Sequence, residues 1–201
     1  MSLINQIRTF FKGKDLTHLW EQFAKEKNGV LKYNSGDVSV AYSYENFTCT
    51  IENYTHYVTA GLHTYTKKYM IGMVEFFHPT QFELCITKED LFTGVGKMFK
   101  NQKVSINYKN FDNQFYVKSN FDFKAMSILK DQLLVEKIIS LQPTRIEITN
   151  QEGLFGKIPG NGKHMLYYVK QENFKNIEQC YQIDLLLKTF IDNLKIYGSI
   201  H

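Results

Sequence analysis

Between Val38 and Thr87 apolar and polar residues alternate with a period of two. Val38, Val40 and Tyr42 share one phase, while Ser39, Ala41 and Ser43 take the other. Phe47, Cys49 and Ile51 resume the rhythm, as do Tyr69, Ile71 and Met73, and then Phe82, Leu84 and Ile86. Successive strand side chains point to opposite faces, so this pattern demands a half-buried antiparallel sheet and is incompatible with a helical bundle. Turn signals at Ser35-Gly36, Glu45-Asn46, Ala60-Gly61 and His78-Pro79 cut the region into strands.

Helical spacing precedes and follows these strands. Leu3, Ile4, Ile7, Phe10 and Phe11 form one stripe, which predicts an amphipathic helix over Met1–Lys14. Asp15 is the expected N-cap of a second helix with Leu16, Leu19, Trp20, Phe23 and Ala24 on its core face, closed in left-handed fashion at Asn28-Gly29. A short turn at Lys88–Phe92, a loop over Thr93–Lys103 and a strand over Gln114–Lys118 come next. Met126, Leu129, Leu133, Leu134 and Ile138 predict one helix over Phe123–Leu141, stopped by Pro143. Strands are expected at Arg145–Thr149 and His164–Lys170, and a final helix over Asn176–Tyr197 carries Cys180, Ile183, Leu187, Phe190, Ile191 and Leu194 inward.

This order reads as an α+β fold, an antiparallel sheet with helices packed on it. Helix followed by strands occurs from Asp15 and again from Phe123, which suggests two similar helix-plus-sheet halves, although the residues show no internal identity. Residues 1–14 are expected as an amphipathic arm and 15–201 as a single domain.

Charge argues against a specific nucleic-acid partner. The net charge is only +4, and of 24 basic residues just Arg8 and Arg145 carry the guanidinium fork that base and phosphate readers favour. Neither a cleavable secretion signal nor a bilayer-length apolar run is evident, so a cytoplasmic location is the expectation. Cys49, Cys85 and Cys180 are odd in number and widely spaced, which suggests no disulfide framework. Cys49 and Cys85 fall on the inward strand phase and Cys180 on the core stripe of the last helix, so all three are expected to be inert.

Signals of chemistry are sparse. The run Gly153–Lys163 is rich in glycine, yet Lys157 stands where a phosphate-binding loop needs its first glycine and His164 replaces its hydroxyl. A hairpin connection is the better reading, and Gly94-Val95-Gly96-Lys97 fails the same test. His56 and His63 flank a turn, so a hairpin brings them near each other with Glu52 or Glu75 as a carboxylate, but no ligand-type spacing supports a metal. Asp112 and Asp122, with Lys118 between them, form a candidate carboxylate pair, against the plainer roles of turn and helix cap. His56, His63, Asp112, Lys118 and Asp122 are thus the candidate ligand-binding residues, with no cofactor, metal or catalytic set implied.

The leading functional reading is a non-catalytic binding or interaction domain. Sixteen Phe and 13 Tyr suit an aromatic-lined pocket for an apolar small molecule, a protein partner or a homodimer face. Membrane-surface association through Met1–Lys14 is the first alternative, and an enzyme without a short motif is the second.

Overall fold

The computed structural model describes residues 16–34, 36–61, 63–78, 80–88, 103–152, 157–197 and 200. The arm expected over 1–14, Asp15, the turn beyond Lys88 and nearly all of the 93–103 loop lie outside the described residues.

The periodic strand region folds as the alternation requires. Strands β1 (Val30–Asn34), β2 (Asp37–Tyr44), β3 (Phe47–Ala60) and β4 (His63–Phe77) form a meander of hairpins. Its turns use left-handed backbone at Gly36 (φ 94°), Glu45 (φ 52°) and Gly61 (φ 60°). Strands β5 (Leu84–Lys88), β6 (Phe115–Ser119), β7 (Arg145–Thr149) and β8 (Lys163–Lys170) complete one antiparallel sheet of eight, in the order β1-β2-β3-β4-β8-β7-β5-β6. The sheet is α+β in organisation, but its halves differ. A four-strand meander follows the first helix, whereas β7 and β8 alone follow the helices of the second half.

Five described helices complete the chain: α1 (Thr17–Glu26), α2 (Lys109–Asp112), α3 (Asp122–Ile128), α4 (Gln132–Leu141) and α5 (Ile177–Ile196). Helix α1 buries Trp20, Phe23 and Ala24 and ends with Asn28 at φ 48°, where the Gly29 amide closes onto the Ala24 carbonyl at 2.8 Å. Helix α5 starts at a capping box: Asn176 accepts from the Gln179 amide while the Gln179 side chain accepts from the Asn176 amide. The single helix expected over Phe123–Leu141 is two. Asp131 takes extended backbone and accepts from the Leu133 amide at 2.9 Å, which opens α4 afresh and leaves Leu133 and Met126 exposed.

The core lies on one side of the sheet. Val38, Val40, Cys49, Ile51, Val74, Leu84, Ile86, Ile146, Ile148 and Leu166 point into a cluster with Trp20 and Phe23 of α1 and Ile183, Leu187 and Phe190 of α5. Helix α5 comes unusually near β4, because a Cβ on Gly72 would stand 2.6 Å from the Ile183 Cγ2. Among the described residues no helix is long and apolar enough to cross a membrane.

A candidate ligand-binding face

Alternation leaves the other face of the sheet with its own side chains, and three registers define them. Thr50, Met73, Tyr167, Glu147, Cys85 and Lys118 lie side by side across β3, β4, β8, β7, β5 and β6. Glu52, Ile71, Val169, Arg145, Thr87 and Tyr116 form the next row. Thr48, Glu75, Met165 and Thr149 form a third.

The rows divide this face into two zones. Over β4 and β8, Ile71, Met73, Met165, Tyr167 and Val169 make a second apolar cluster, with Tyr54 and Tyr69 packed against it. Over β7, β5 and β6 lies a polar corner in which Glu147, Lys118, Thr87 and Thr149 are all buried. Arg145 reaches Glu147 at 2.6 Å, but burial outweighs that pairing and holds the Glu147 carboxyl above its ordinary range. Glu83 is raised by its own burial and by the nearby Glu147 charge. Burial also pushes the Cys85 thiol up to about 11, so it is not a thiolate at neutral pH. The Tyr167 hydroxyl donates to the Lys157 carbonyl at 2.8 Å, and the Lys157 ammonium meets Glu52 at 2.6 Å. Part of the glycine-rich connection is thereby tied across the apolar zone.

The candidate residues from the sequence scatter over this frame. His56 and His63 share the second face, but His56 pairs with Lys67 and His63 with Ala60, four residues along β4. That spacing separates them by about 13 Å, too far for one ion. Among the described residues no three His, Cys, Asp or Glu side chains gather at metal-binding geometry. Asp112 serves its own loop, accepting from the Ser105 hydroxyl at 2.9 Å and the Ile106 amide at 3.2 Å. Asp122 is the first residue of α3, exposed, with Phe121 in the cap position and no side-chain cap bond. Of the five, Lys118 is the one the fold places in the polar corner. Glu147, Arg145 and Tyr167 carry no motif or spacing that marks them as site residues, and Cys85, expected in the core, is buried on the opposite face instead. The residue before and after it, Leu84 and Ile86, hold the core phase. The fold also unites two histidines remote in sequence, His78 and His164.

A separate cleft of about 170 Å³ between α4, β8 and α5 is lined mainly by polar side chains. Its Glu172 is already engaged by Lys170 at 3.1 Å and by Gln179 at 2.9 Å.

No protein-family model matches the chain, and no curated protein matches it. A solved structure with the same kind of fold is that of the mycobacterial trehalose monomycolate transport factor A. The likeness spans 92% of this chain and 97% of that one with a TM-score of 0.54, at 10% identity, and is a likeness of fold.

Proposed function

We propose that this chain is a non-catalytic binding domain for an amphipathic small molecule, taken up on the sheet face opposite the helices. The observation that carries the reading is the division of that face. A strip of Ile71, Met73, Met165, Tyr167 and Val169 adjoins a corner of opposite charges, Lys118 and Arg145 with Glu147. The strip is already buried in the structure, so an apolar chain enters it by replacing what now covers these side chains, at roughly 0.8 kcal/mol for each methylene it takes out of water, while a polar head finds donors and an acceptor in the corner. Catalysis has less support here: the buried thiol is protonated, and the Asp112 carboxylate is engaged by Ser105 and Ile106 of its own loop. The fold likeness is to a protein named as a trehalose monomycolate transport factor, and that name is compatible with this class of ligand.

Native mass spectrometry of the purified protein tests the reading. An added mass that disappears on denaturation, and that is missing from Met73→Lys, is the expected result. A bare wild-type protein whose melting temperature does not respond to a long-chain fatty acid or a lysophospholipid would overturn it.

A further inference from the structure

On the helix side of the sheet, where β4 ends and β8 begins, a second cluster has polar atoms that the core does not satisfy. Phe76 pairs with His164 across the two strands, and the His164 ring stacks on Phe76 with centroids 6.1 Å apart. His78 follows β4 and stacks on Phe82 at 5.7 Å, its centroid 5.2 Å from that of His164. Both histidines are more than nine-tenths buried, at 8% and 4% exposed. Neither ring nitrogen of His164 has a hydrogen-bond partner. Lys124, on α3, brings its ammonium to 3.0 Å from His78 Nε2 and lies over the Phe82 ring at 5.1 Å.

The hydrogen bonds fix what this cluster can accept. The Thr80 amide and hydroxyl lie 3.1 and 3.3 Å from His78 Nδ1, and the amide can only donate, which favours the tautomer of the neutral ring with its proton on Nε2. That N–H faces the Lys124 ammonium, which has only donors to offer. Among the described residues no carboxylate forms an ion pair with the Lys124 ammonium. In that tautomer two donors face each other without an acceptor, beside an imidazole with both nitrogens unused. A metal ion is the wrong occupant, because it would sit against the Lys124 ammonium and among the described residues no third His, Cys, Asp or Glu joins the two rings at metal-binding geometry.

We propose that His78, His164 and Lys124 form a binding site for an oxyanion, a carboxylate or phosphate group whose oxygens accept from Lys124 Nζ, His78 Nε2 and a His164 ring nitrogen. The rings and the half-buried lysine exclude water from one side, which strengthens charge-assisted bonds to such a group. Burial and the Lys124 charge hold both imidazoles neutral without the anion, and a bound negative charge reverses the second of these effects. The site lies across the sheet from the face assigned to an amphipathic ligand, so either assignment can fail alone.

Long-range proton–nitrogen spectra of the histidine side chains provide the test. The full chain is titrated at constant ionic strength with sodium phosphate, sodium acetate and sodium octanoate, against chloride. Saturable shifts of the His78 and His164 signals are expected, with affinity about tenfold weaker in Lys124→Gln through loss of one charge-assisted bond. His164→Phe, which keeps a ring in the stack, is expected to weaken binding while leaving the melting temperature close to wild type. Response to phosphate or acetate identifies a free anion as the source, and response to octanoate alone identifies the head of an amphipathic molecule. No saturable shift with any of the three would overturn the proposal. So would equal affinity in Lys124→Gln, or a His78 proton found on Nδ1.

Discussion

Asp184 is the buried carboxylate on which three elements meet. It lies on α5 and accepts from the Tyr42 hydroxyl of β2 at 2.8 Å and from Lys27, just beyond α1, at 2.7 Å. Lys188, one turn further along α5, adds a contact at 3.0 Å. The lysines are partly exposed and can rehydrate, whereas Tyr42 cannot, so Asp184→Ala is expected to cost about 2 kcal/mol rather than the full penalty of a stranded buried charge. Urea denaturation at neutral pH measures it. His78 makes a different contribution. Burial, then the Lys124 charge, lower it from 6.5 to about 4. Between those values the unfolded chain takes up a proton that the folded chain refuses. Stability present at neutral pH therefore declines as pH falls through this window, by up to about 3 kcal/mol from this group. His78→Phe should flatten the dependence of unfolding free energy on pH between 7 and 4, and an unchanged slope would refute the assignment.

Among elements, the contact between β4 and α5 is the least forgiving. Gly72 has no side chain where Ile183 and Leu187 press onto the strand, so Gly72→Ala forces the helix outward and is expected to destabilise by about 1–3 kcal/mol. Trp20→Ala or Phe23→Ala, which empty the site where α1 meets the sheet, should cost about 3–5 kcal/mol each by thermal or chemical unfolding. These residues were legible in the sequence, because Trp20, Phe23 and the α5 stripe follow a single helical period and the strands keep a single phase. Asp131 was not, because it falls within an apolar helical rhythm and acts as a cap only when the backbone there is extended. Strand order was hidden for a deeper reason. Periodicity assigns a residue to a face but says nothing about its neighbours across the sheet. Lys118, Cys85 and Glu147 become one row only because β5 lies between β6 and β7, a non-local pairing absent from any local pattern. The same limit separated His78 from His164 and placed His56 and His63 closer than their register allows.

For the molecule as a whole, the consequence is a sheet with two differently built faces. The helix side holds the larger core, and the loss of any one large side chain there tests folding. The opposite face combines a smaller apolar cluster with buried charge, and the Tyr167 hydroxyl ties residue 157 of the glycine-rich connection over it. A ligand bound to that face adds stability in proportion to its saturation, about 2.7 kcal/mol at a hundredfold excess over its Kd. Tyr167→Phe keeps the ring and removes the donor, and the Lys157 carbonyl it leaves can turn to water, so the fold itself should lose no more than about 1 kcal/mol. If segment 157–160 retains an amphipathic ligand, the same variant should release that ligand several-fold faster in a stopped-flow displacement assay. Unchanged release together with an unchanged fold would mean that the tether serves only the connection between β7 and β8, and that ligand is held by the strip alone.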